Sequence, residues 1–360
     1  MASRSASRFA AIVRACVLSC AALGLSCGAR SGLPVPCEET LTRRPPTIML
    51  LMDHSWPLGA ADATGRIYWD RMVDLGVGYA RALESLAEVG VQVYPRTDRP
   101  NRLGNFRLEQ QCSVRADETI APRSNQATTI ERYLRALPET VNATAMFVGI
   151  EAALTTVDRA RNPRALLVAF MDGGANCSAT RDPAQCFTVV EPPTLAFEDG
   201  RGWGCLDTER VEARLRELAP TTPTVVLGFD TNPRDLRSGL FRQFMNRFAV
   251  AGGRARTDRS DVRYWRAVDA EDSMRALREG ILPEIYCHLQ LTRLLQFRSE
   301  ITLREQDGDA LTRDLTHRDG WDWTQESAGE LQLYGPTCMR IAAAQHDVIA
   351  VTRTYRCPSP

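Results

Sequence analysis

Asp53 and Ser55 stand two residues apart at the end of the apolar run Thr47-Ile-Met-Leu-Leu-Met, and this pairing carries more chemistry than any other in the chain. An acid and a hydroxyl at the carboxyl end of a buried strand offer hard oxygen donors to a cation such as Mg²⁺ or Mn²⁺. In open α/β sheets the binding crevices lie outside this edge of the strands. The competing use of the same two residues is to cap the next helix. Asp172 is a second candidate ligand: it ends the apolar run 165–171 and is followed by Gly173-Gly174 and a long loop, with no adjacent helix to cap. Asp230 ends a third run, but Pro233 behind it suits the first turn of a helix, so Asp230 reads as helix-start chemistry.

Bringing Asp53 and Asp172 to one place requires their strands to share a sheet. Segments 47–52, 91–94, 165–171 and 224–229 are short and apolar without period-two alternation, as strands buried on both faces are. Between them run helical patterns: Met72, Leu75, Tyr79, Leu83 and Leu86; Val211, Leu215 and Leu218; and Leu240, Phe241, Phe244, Met245 and Phe248, ended by Gly252-Gly253. A further helical segment, 271–281, closes the layer. This alternation predicts an α/β fold with a doubly wound, mostly parallel sheet.

The pattern changes after Cys287. Strands are expected at 288–294, 300–305, 330–334 and 347–355, with Asp307-Gly308 as a hairpin turn and Trp321 and Trp323 covering a small core. The expected organisation is a leader at 1–27, a linker at 28–45, the α/β domain at 46–285 and a small disulfide-bearing β region at 286–360.

The leader has the marks of a secretory signal. Arg4, Arg8 and Arg14 precede a mostly apolar stretch, and no acid appears before Glu38. The stretch is shorter than the ~20 residues that cross a bilayer. It ends Leu23-Gly-Leu-Ser-Cys27, which resembles a bacterial lipobox, with Cys27 as the lipidated residue; Gly24 departs from that motif, and Val17-Leu-Ser-Cys20 is a competing match. Eleven cysteines less two in the leader and Cys27 leave Cys37, Cys112, Cys177, Cys186, Cys205, Cys287, Cys338 and Cys357. In an exported chain that even set reads as four disulfides of undetermined connectivity.

Charge and composition exclude several classes. The 44 basic and 44 acidic residues cancel, which gives no steering toward nucleic acid. Every basic residue is Arg, so a P-loop lysine and a Ser-x-x-Lys nucleophile are absent. His54, His288, His317 and His346 form no H-E-x-x-H motif, and no G-x-S-x-G elbow occurs. No catalytic constellation is recognisable, and the expectation is a non-enzyme.

Three segments taken in order resemble the von Willebrand factor A domain, and more closely its exported lipoproteins of deltaproteobacterial and myxobacterial type. They are Asp53-His-Ser55-Trp-Pro57, Thr144-Ala-Met-Phe-Val-Gly149-Ile150, and Phe170-Met-Asp172-Gly-Gly-Ala-Asn176-Cys177. The resemblance covers about residues 45–285, and the cysteine-bearing tail is similar too. It implies a metal-ion-dependent adhesion site with Asp53, Ser55, Thr144 and Asp172 around Mg²⁺ or Mn²⁺, completed by a carboxylate from a partner. Pro57 stands where the family has a second serine and supplies no side-chain oxygen. Met146 stands where a second Thr is common, so the site is partly degenerate.

The loop 173–206 starts beside Asp172 and carries three of the cysteines. Loops beyond ~12 to 15 residues are usually functional or disordered, and cross-links argue against disorder. Phe187, Phe197 and Trp203, with Trp56 on the first loop, form an expected aromatic rim for a partner. The overall expectation is an exported, lipid-anchored binding or adhesion protein of the bacterial outer membrane or periplasm. Its partner is a protein or other envelope macromolecule, and it touches the membrane through the lipid alone. The alternatives are a metal-assisted envelope hydrolase and a structural envelope protein with a vestigial site.

Overall fold

The computed structural model of the chain describes residues 35–41, 45–55, 65–95, 113–115, 118–138, 144–157, 164–175, 207–229, 236–258, 261–291, 301–307, 310–315, 317, 320–325 and 329–354. Strand β1 (Val35–Thr40) comes first, then β2 (Thr47–Asp53), α1 (Tyr68–Leu83), β3 (Glu88–Tyr94), β4 (Thr119–Arg123), α2 (Ala127–Arg135) and α3 (Met146–Thr156). Next are β5 (Ala165–Met171), α4 (Thr208–Leu218), β6 (Thr224–Gly228), α5 (Leu236–Ala251) and β7 (Trp265–Arg266). Helix α6 (Ala270–Arg275) runs through a π turn, Ala276–Ile281, into α7 (Leu282–Tyr286). Strands β8 (His288–Gln290), β9 (Ile301–Asp307), β10 (Ala310–Leu315), β11 (Trp321–Gln325) and β12 (Glu330–Leu333) follow, then α8 (Gly335–Ala344) and β13 (Asp347–Thr354).

The central sheet has six strands in the order β4-β3-β2-β5-β6-β7, all parallel except β4 at one edge. Every residue of β2 and β5 is buried, because helices cover both faces. Ile48, Leu50, Met52, Leu166, Val168 and Phe170 point to the face packed by α1, α2 and the π-turn helix. Met49, Leu51, Leu167, Ala169 and Met171 point to the other face, packed by α3, α4 and α5. The doubly wound fold expected from the sequence is present.

Helix-forming causes are local. Val211, Leu215 and Leu218 of α4 are buried at steps of four and three, one apolar stripe against the sheet. Asp269 caps α6 by accepting from the backbone N–H groups of Glu271 and Asp272. Near the amino end of β5, Glu284 of α7 receives the guanidiniums of Arg164 and Arg254, and His288 Nε2 lies 3.6 Å from its Oε2.

The tail forms two small antiparallel sheets, β1-β13-β9-β10 and β11-β12-β8, with α8 between β12 and β13. Three differences from the sequence reading arise here. The segment read as a linker contains β1, which pairs with β13 from Val35 opposite Thr354 to Thr40 opposite Ile349. Trp321 and Trp323 lie in a strand, β11, which is absent from the expected strands, and Trp321 covers a core as expected, 2% exposed with its indole N–H donating to Leu315 O. Helix α8 was not anticipated. Leu303, Trp321, Leu331, Ile341 and Ala350 belong to the same apolar cluster as α1 and the sheet, so the tail packs onto the α/β body.

Cys287 and Cys338 are disulfide-bonded, with Cα atoms 5.3 Å apart and a sequence separation of 51, joining the end of α7 to α8. Cys37 falls in β1, of which only the backbone is described, while Cys112, Cys177, Cys186, Cys205 and Cys357 lie outside the described residues. The leader with Cys27 and Cys20 also lies outside them. Among the described residues no helix is long and apolar enough to cross a membrane.

Candidate functional site

Strand β2 is followed by α1 on one face of the sheet, whereas β5 beside it is followed by α4 on the other. Chain segments leaving adjacent strands toward opposite faces open a crevice at their carboxyl ends. Asp53 ends β2 and Asp172 directly follows β5, so both carboxylates stand at that point, 0% and 5% exposed.

The first loop is folded by Asp53 itself. Its Oδ1 accepts a 3.0 Å hydrogen bond from the backbone N–H of Ser55, turning the chain over the strand end. Ser55 Oγ lies 3.0 Å from Thr144 Oγ1, so the loop is tied to the residue just ahead of α3, and Thr144 also hydrogen-bonds Asp53. Asp53, Ser55, Thr144 and Asp172 therefore converge from three separate segments, and all four are buried.

Their electrostatics are unfavourable as they stand. Burial pushes the Asp53 carboxyl up to about 7, with hydrogen bonds from Ser55 and Thr144 pulling the other way. Burial, and then the charge of Asp53, push the Asp172 carboxyl well above its ordinary range. Among the described residues, Asp53 Oδ2 and Asp172 Oδ2 have no hydrogen-bond partner.

A set of two carboxylates and two hydroxyls, with buried oxygens left over, fits a hard divalent cation. Among the described residues no three His, Cys, Asp or Glu side chains gather as a metal site, so a cation here would need the hydroxyl oxygens as well.

Glycines shape the second loop. A Cβ at Gly174 would stand 2.3 Å from Phe244 Cδ2, and one at Gly173 would stand 3.2 Å from the Phe241 ring. The backbone can therefore pass under α5 only without side chains. His54, between the two ligand candidates, packs on Trp69 with ring centroids 4.0 Å apart, and burial pushes its imidazole down to about 4, leaving it neutral at pH 7.

One residue at the site escaped the sequence reading. Tyr94, the last residue of β3, stands in register with Asp53, and its carbonyl accepts the His54 N–H at 2.7 Å. Its ring lies against Gly149 of α3, where a Cβ would come within 2.6 Å of Cδ1. The available signal was an aromatic at the carboxyl end of a strand flanking the Asp53 strand. Trp56, Pro57, Phe187, Phe197, Trp203 and Asp230 lie outside the described residues.

No family model and no curated protein matches the sequence. Solved structures that the chain matches include the pilus adhesin SpaC of Lactobacillus rhamnosus GG, at 10% identity and TM-score 0.44, covering 88% of this chain and 41% of that one. The PilB minor pilin of Streptococcus sanguinis matches at 12% identity and TM-score 0.40, over 65% of this chain and 60% of that one. The vWF domain of the type V pili tip protein Mfa5 of Porphyromonas gingivalis matches at 10% identity and TM-score 0.42, over 68% of this chain and 97% of that domain. The chain thus spans less than two thirds of the first two proteins.

Proposed function

We propose that this chain is an exported binding or adhesion protein whose crevice between β2 and β5 takes up Mg²⁺ or Mn²⁺ and presents it to a partner macromolecule. The observation that carries the reading is the pair of buried carboxylates, Asp53 and Asp172, each with an oxygen unsatisfied among the described residues at the switch point of the sheet. Asp53, Ser55, Thr144 and Asp172 would hold the ion, which supplies positive charge to neutralise them and an open position for a partner's carboxylate. The side chains themselves orient one another: Asp53 fixes Ser55, and Ser55 fixes Thr144.

The absence of a side-chain oxygen at Pro57 favours a second reading, in which the crevice keeps its form without a cation and the acid pair retains a proton. Thermal unfolding in chelator and in millimolar Mg²⁺ or Mn²⁺ separates the two. Preferential binding to the folded state raises the Tm by an amount set by RT ln(1 + [L]/Kd). No shift in the parent or in Pro57→Ser assigns the crevice to structure or to a cation-independent partner. Turnover of a model ester or peptide would favour the hydrolase alternative instead.

We also read the chain as lipid-anchored through Cys27, which intact mass of the mature protein tests directly: an unmodified N-terminus near Gly28 rejects it.

A further inference from the structure

We infer that Tyr94 is a fifth member of the crevice, a positioning residue whose hydroxyl donates a hydrogen bond into the oxygen cluster formed around Asp53 and Asp172. This rests on the cation-binding reading above and assigns a residue that none of the Asp-x-Ser, Thr or Asp segments contains.

The placement follows from the sheet. Parallel strands in register put neighbouring side chains on the same face, and Tyr94 is paired with Asp53. Tyr94 packs with Met49, Leu51 and Met171 on the face covered by α3, α4 and α5. Its ring is held there by α3, since Gly149 leaves room for it that any side chain would fill.

Buried phenols almost always find a hydrogen-bond partner. Tyr94 is 0% exposed, yet its hydroxyl has none among the described residues, as is also true of the second oxygens of both acids. In register with Asp53 and on the same face of the sheet, an uncompensated donor thus accompanies uncompensated acceptors. A cation drawing the carboxylates into fixed positions gives that donor a defined target.

The test is Tyr94→Phe, which keeps the ring and removes only the oxygen. Mn²⁺ titration of the full mature chain, by calorimetry or by the paramagnetic signal of free Mn²⁺, reads the affinity, and melting in chelator reads the cation-free fold. The expected result is about tenfold weaker Mn²⁺ binding, the effect of losing one hydrogen bond to a charged group. The Tm in chelator should not fall, because a hydroxyl without a partner contributes nothing to the cation-free fold.

Unchanged Mn²⁺ affinity in Tyr94→Phe, with the parent binding normally, overturns the inference and leaves the cation site standing. A lower Tm in chelator, or a variant that does not fold, overturns it as well, since the hydroxyl would then serve the fold itself. A parent that does not bind Mn²⁺ removes the cation site and this inference together. Gly149→Ala gives a second arm: the hydroxyl is kept but the ring is displaced, and weaker Mn²⁺ binding is again expected.

Discussion

Ser55 and Thr144 are 89 residues apart in sequence, and their hydroxyl oxygens are 3.0 Å apart in the fold. This contact ties the loop after β2 to the start of α3, and its strength is measurable. Thr144→Val keeps the shape and removes the oxygen. Loss of a buried hydrogen bond of this kind costs on the order of 1 kcal/mol. Chemical denaturation in chelator should show that loss, and Mg²⁺ should stabilise the variant less than the parent.

Asp53→Asn should act with opposite sign in two solutions. Without a cation it removes a buried acid whose ionised form is opposed by burial and by Asp172, so the Tm in chelator should hold or rise. With a cation it removes a ligand, so the Mg²⁺-induced rise should disappear. A variant destabilised equally in both solutions would tie Asp53 to the fold alone.

His288 sets a pH dependence away from the crevice. Burial, and then the charges of Arg164 and Arg254, push its imidazole down to about 3 from 6.5. Both arginines also engage Glu284, whose Oε2 lies 3.6 Å from His288 Nε2. Between pH 6.5 and pH 3 the unfolded chain binds a proton here that the folded chain does not. His288 therefore leaves stability intact above pH 6.5 and lowers it as the pH falls, by on the order of 1 kcal/mol per pH unit. Urea unfolding at pH 7, 5.5 and 4.5 should show a shallower loss in His288→Asn than in the parent.

The bridge between Cys287 and Cys338 closes a loop of 51 residues' separation. Chain-entropy arguments put such a cross-link at ~2 to 4 kcal/mol. Cys287→Ala with Cys338→Ala should lose that much in guanidinium titration. The loss should fall in the same cooperative transition as the α/β body, because the two share one apolar cluster. A separate early transition would mean that the tail unfolds alone.

Gly174→Ala should destabilise by roughly 1 to 3 kcal/mol through overpacking against Phe244. Combined with Phe244→Ala it should be less than additive, since one substitution vacates the space the other needs.

What was legible in the sequence was what burial writes locally. Strands β2, β5 and β6 are continuous apolar runs because both faces are covered, and their ends at Asp53 and Asp172 marked the crevice before any geometry was known. Two of the missed strands share a cause. Strands β1 and β4 carry Pro36 and Pro122, residues that argue against a strand except at an edge, and both strands lie at the edges of their sheets. Helix α8 starts at Gly335-Pro336, where a proline in the first helical turn leaves little apolar periodicity to announce the helix. Tyr94 was missed for another reason: its place beside Asp53 is set by strand register, which no local pattern contains.

The pairing of β1 with β13 brings the two ends of the described chain together, Val35 opposite Thr354. Pulling on anything upstream of Val35 would strain that ladder before it strained the strand bearing Asp53. For a load applied from that side, the six residue pairs of the ladder are the first contacts to be tested.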